Sequence, residues 1–114
     1  MLTVEALTDF GANTEEGLKR CFGNKDFYLK LVARVPNEAS FDQLSEAIEQ
    51  NNLEEAFEKA HALKGVLGNL SLTPIFTPTS ELTELLREKK EGDYAGLTAE
   101  ILKQRDLLKG IMES

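Results

Sequence analysis

Between Leu53 and Leu70 the apolar residues Leu53, Ala56, Phe57, Ala60, Leu63, Leu67 and Leu70 stay in helical phase without a break. A helix of this length with a single apolar stripe must bury that stripe against other elements of the chain. The neighbouring segments repeat the pattern. Asn37 to about Gln50 carries Phe41, Leu44, Ala47 and Ile48 on one face, and "QNN" then makes a turn. A segment starting at Thr73 or Thr77 and running to about Lys90 carries Ile75, Leu82, Leu85 and Leu86. After "EGD", Asp93 caps a last helix with Tyr94, Leu97, Ile101, Leu108, Ile111 and Met112. No stretch alternates as a strand does. Four long amphipathic helices joined by short turns predict an all-α fold, an antiparallel up-and-down four-helix bundle over about residues 37–113.

Residues 3–10, Thr14–Phe22 and Lys25–Val35 read as additional short N-terminal helices that cover one end of the bundle. The third places Phe27, Tyr28, Leu31, Val32 and Val35 on its apolar face and stops at Pro36. Both "TP" pairs, Thr73-Pro74 and Thr77-Pro78, fit a threonine N-cap followed by proline at the first helical position. A start at Pro74 predicts a kink near Pro78. The whole chain, residues 1–114, is one domain, since its length supports one core and not two.

Against this helical background, "AHALKGVLGNLSL" is an oddity. It holds the only histidine, His61, followed by Lys64, Gly65 and Gly68. Glycine in a helix interior is less stable than alanine by roughly 0.8–1 kcal/mol, yet the leucine phase continues through both glycines, so neither ends the helix. By helical bearing His61 lies roughly 120° from Leu67, at the margin of the buried stripe, with Gly65 and Gly68 within about 40° of it. Lys64 falls between the histidine and the core, where its stem can return the ammonium to the imidazole. A close crossing by a neighbouring helix is open to Gly68, but the bearing of both glycines points away from the core.

The composition removes most chemistries from this site. A net charge of −7 argues against nucleic acid, which needs clustered Lys and Arg. With one histidine and one cysteine, a second His or Cys ligand for a metal cage is lacking, and Cys21 reads as a buried structural thiol. There is no serine elbow and no GxxxxGK[ST] loop. The N-terminus "MLTVEALTDF" has no basic segment leading an apolar one, and no apolar run is long enough for a bilayer, so a cytoplasmic, membrane-free, free-standing protein is expected. What remains is a neutral imidazole acting as a nucleophile, with room over the glycines for a phosphoryl group and Lys64 to offset its charge.

"AHALKGVLGNL" resembles the histidine-containing phosphotransfer (HPt) domain signature, H-x-L-K-G on a helix of a four-helix bundle. "EEGLKRCFGNKDFYLKLVARV" is similar to the N-terminal portion of bacterial HPt domains, and "FDQLSEAIEQNNLEEAFEKAHALKG" to their helix–turn–helix approach to the histidine. The resemblance implies phosphorelay signalling, with His61 carrying the phosphoryl group (on Nε2 in the family) between aspartates of response-regulator receiver domains. It implies Lys64 as the charge-neutralising helper and Gly65 as a position that stays small, with Gly68 beside it on the docking face. It also implies a polar contact from the following helix, for which Thr83 and Arg87 are the candidates. Ser71 departs from the glycine common there in the family, which bears on local packing.

Partners implied are receiver domains and a hybrid histidine kinase, with the chain itself a monomer. No intrinsic cofactor is expected; Mg²⁺ belongs on the receiver, and Glu54 and Glu58 read as a solvated face or docking rim. With no ATP-binding motif, the chain is expected to carry phosphate and not to act as an ATP-using kinase. The competing readings are a helical docking adaptor or a kinase-binding regulator that keeps the fold without phosphotransfer.

Overall fold

A computed structural model describes all residues, 1–114. The elements are α1 (Val4–Phe10), α2 (Thr14–Arg20), α3 (Lys25–Arg34), a 3₁₀ turn (Val35–Asn37), α4 (Ser40–Glu49), α5 (Leu53–Asn69), α6 (Thr73–Arg87) and α7 (Tyr94–Glu113). There is no strand. Helix α4 packs on α5, α5 on α6, α6 on α7, and α7 closes the ring on α4. Short connections between consecutive, mutually packed helices make them run antiparallel. This is the expected four-helix bundle.

Most starts follow side-chain capping. Thr3, Asn13, Asn24, Asn52 and Asp93 each accept the backbone N–H three residues on, which satisfies one of the donors that a helix start leaves free. The start of α6 departs from expectation. Leu72, not a threonine, occupies the cap position and no side chain caps it; Thr73 is already helical and Pro78 lies inside the helix. Leu72 is fully buried, so core packing sets the chain's entry angle and Thr73 follows from it. The same helix stops at Arg87, three residues short of the expected Lys90.

Four helix ends close without glycine. After α2, α4, α5 and α6, the residues Phe22, Asn51, Ser71 and Lys89 take φ between +54° and +59°. Behind α5, the Ser71 N–H donates to the Gly68 carbonyl and the Leu72 N–H to the Leu67 carbonyl, the paired bonds of a Schellman end, with Leu67 and Leu72 both buried.

The core is one continuous cluster. Phe41 and Leu44 of α4, Ala56, Ala60, Leu63 and Leu67 of α5, Ile75 and Leu82 of α6, and Ile101 and Leu108 of α7 are buried in it. Buried Thr79, Thr83 and Thr98 each return their hydroxyl to the carbonyl four residues back, at 2.7 Å, so no buried side-chain polar atom lacks a partner.

The N-terminal helices cover the α5–α6 turn. The Asn13 N–H donates to the Ser71 carbonyl at 2.9 Å, and the buried Tyr28 hydroxyl donates to the Leu70 carbonyl at 2.9 Å. Gly17 lets α2 close onto the Tyr28 ring, because a Cβ there would lie 2.6 Å from it. Burial pushes the Tyr28 phenol up to about 12, with Cys21 adding to the shift. Cys21 is buried as expected, whereas Phe27, placed on the apolar face by its spacing, is 44% exposed: neighbouring Tyr28 takes the inward position.

Candidate functional site

His61 sits in the middle of α5, flanked by buried Ala60 and Leu63, and its own side chain is exposed. Helical side chains lean toward the preceding turn, and the imidazole accordingly stacks on Phe57, ring centroids 5.6 Å apart and planes 15° from parallel. The ring is therefore oriented by an aromatic neighbour while one side stays open to solvent. Helix α5 runs through Gly65 and Gly68, neither of which has positive φ. The helical reading of this stretch is the observed one.

The two glycines have different uses. Nothing lies within 4 Å of a Cβ placed on Gly65, so the bundle itself has no need of glycine there. At Gly68 a Cβ would meet the Phe76 ring of α6 at 3.1 Å. The close approach allowed at Gly68 is thus a packing contact within the chain.

His61, Lys64, Gly65 and Gly68 form one wall of a groove of about 530 Å³. Ser71, Thr73 and Phe76 from the α5–α6 turn and the start of α6 also line it, as do Asn13, the cap of α2, and Arg20 at the end of α2. Sequence spacing gave no sign of Asn13 or Arg20; only the docking of α2 on the α5–α6 turn brings them here.

Lys64 points across the groove edge to α6. Its Nζ donates to Glu84 Oε1 at 3.1 Å, so the ammonium is paired with a carboxylate and has not turned back to the imidazole. Arg87 also reaches Glu84, at 3.5 Å. The Lys64 hydrogen bond, helped by the charges of Lys64 and Arg87, holds the Glu84 carboxyl below the usual glutamate range against a partial desolvation that opposes it.

The two α6 candidates divide. Thr83 is buried and spends its hydroxyl on the Thr79 carbonyl, so it is a core residue outside the groove. Arg87 places its guanidinium carbon 5.2 Å from the centroid of Phe57, the ring on which His61 stacks. Its relation to the imidazole runs through Phe57, and it lines a second groove with Leu53, Glu54 and Tyr94. No group of three or more His, Cys, Asp or Glu converges as a metal site, and no helix is long and apolar enough to cross a membrane.

The four-helix bundle thus presents one exposed histidine, with open space over Gly65 one turn further on. The chain matches the family model of the Hpt domain over residues 36–112 and belongs to that family. Histidine phosphotransfer in phosphorelay signalling is what membership implies, and Hpt domains interact with receiver domains and kinases of two-component systems. The match starts after "EEGLKRCFGNKDFYLKLVARV", so α1 to α3 lie outside it. No curated protein and no solved structure matches the chain.

Proposed function

We propose that this chain is a phosphorelay carrier that accepts a phosphoryl group on His61 from the phosphoaspartate of one receiver domain and passes it to the aspartate of another. The supporting observation is the pairing of an exposed, aromatic-stacked imidazole with an unobstructed Gly65 one turn further on. The helix backbone at Gly65 is open to an approaching receiver, since nothing in the chain lies within 4 Å of a Cβ placed there.

In the forward step the lone pair of an imidazole nitrogen attacks phosphorus, the N–P bond forms, and the P–O bond to the aspartyl oxygen breaks to release a carboxylate. The reverse step runs on the second receiver. Phosphoryl transfer asks chiefly for position and charge neutralisation. Phe57 fixes the ring, and Lys64 exchanges Glu84 for the phosphoryl oxygens. Mg²⁺ enters with the receiver, beside its aspartate.

Incubation with a phosphorylated receiver tests this. Acid-labile, base-stable phosphate is expected on the wild-type chain and none on His61→Gln. Equal labelling of both, or full signalling by His61→Gln in cells, contradicts it and favours a docking adaptor.

A further inference from the structure

The chain carries 20 acidic residues against 13 basic ones, yet the groove beside His61 has no acidic residue in its lining. Its charged side chains are two cations, Lys64 and Arg20. Arg20 comes from α2, outside the residues that match the Hpt family. We propose that the N-terminal segment completes the transfer site, with the Arg20 guanidinium binding the phosphoryl group on His61; this rests on the phosphorelay reading above.

Three observations support it. Helix α2 is fixed to the α5–α6 turn, since Asn13 bonds to Ser71, Tyr28 bonds to Leu70, and Gly17 lies against the Tyr28 ring. Arg20, one turn beyond Gly17, is therefore held at the groove by the fold. Its polar contact is the Nε–H bond to Glu16 Oε1 of its own helix at 3.2 Å, which leaves both Nη groups to donate. That pair is exposed and weak, while Lys64, the other cation, is engaged by Glu84. A guanidinium with two free Nη groups matches the spacing of phosphoryl oxygens, which a lysine ammonium meets only as a point charge.

Phosphoramidate, a small donor that needs no partner protein, separates this role from receiver docking. Its P–N bond breaks with loss of ammonia as the phosphorus bonds to the imidazole nitrogen. With the full chain, labelling followed by ³¹P NMR is expected for wild type and absent for His61→Gln. Arg20→Met, which keeps the stem and removes the charge, is expected to slow labelling roughly tenfold, the scale of one charge-assisted hydrogen bond. Arg20→Lys is expected to recover part of the rate, and Glu16→Gln, which releases the guanidinium, to raise it. If Arg20→Met labels as fast as wild type while His61→Gln does not label, the role of Arg20 is overturned and the carrier reading stands. Failure of wild type to label, or labelling of His61→Gln, overturns both.

Discussion

Lys64 of α5 and Glu84 of α6 meet at 3.1 Å, so the ammonium one turn beyond His61 is held by a carboxylate on the next helix. Arg87 shares that carboxylate. Glu84→Gln is expected to free Lys64 and speed formation of phosphohistidine by a few-fold, with the gain shrinking as salt screens the exposed charges. The titration has a definite sign. Because the folded carboxyl is lowered by its partners, the pairing contributes to stability above the unfolded glutamate's range and is lost as pH falls through the lowered midpoint. A carboxyl ¹³C titration should show a low Glu84 midpoint that returns toward the ordinary range in Lys64→Met.

At Gly65 stability and the proposed transfer are expected to respond in opposite directions. The glycine lies inside α5 with open space where a side chain would be, so Gly65→Ala is expected to stabilise the fold by about 0.8–1 kcal/mol through helix propensity alone. Gly65→Gln, which projects into the groove, is expected to keep the fold and block transfer from a receiver. Thermal melting and receiver-dependent labelling, measured on the same samples, check both.

Tyr28 anchors the N-terminal helices to the turn that follows the histidine helix. Tyr28→Phe leaves the buried Leu70 carbonyl without its donor and is expected to cost about 1–2 kcal/mol in denaturant unfolding. Burial pushes the folded phenol up to about 12 from its ordinary 10.0. Stability conferred by the neutral phenol is complete below the unfolded value and is lost as pH climbs through the folded one. Alkaline unfolding should therefore coincide with tyrosine ionisation in wild type, and Tyr28→Phe should lose that coupling.

Ser71 holds φ at +55° behind α5. The left-handed region costs an L-residue about 1–2 kcal/mol, partly offset because glycine has more freedom to lose on folding. Ser71→Gly is expected to stabilise the chain by about 0.5–1 kcal/mol, a melting-temperature rise of a few degrees.

The bundle was legible because its helices obey local rules. The stripe from Leu53 to Leu70 and the Asp93 cap are written in adjacent residues, and both are observed. The exposed setting of His61 followed from helical bearing alone. What sequence could not show depends on elements far apart in the chain. Glu84, which takes Lys64, lies twenty residues beyond it. Arg20 reaches the groove only through the docking of α2 on the α5–α6 turn. Thr83 looked available as a polar contact because its periodicity does not reveal that the hydroxyl bonds within its own helix. Leu72 displaced the threonine caps because burying a leucine outweighed one side-chain hydrogen bond.

With one histidine in the chain, an imidazole ¹⁵N spectrum contains a single side chain, and recording it before and after exposure to a phosphorylated receiver addresses the carrier role most directly. A new pair of imidazole nitrogen signals, one split by phosphorus and both reverting when an unphosphorylated receiver is added, is expected. An unchanged spectrum on a chain that has nonetheless gained phosphate would contradict it.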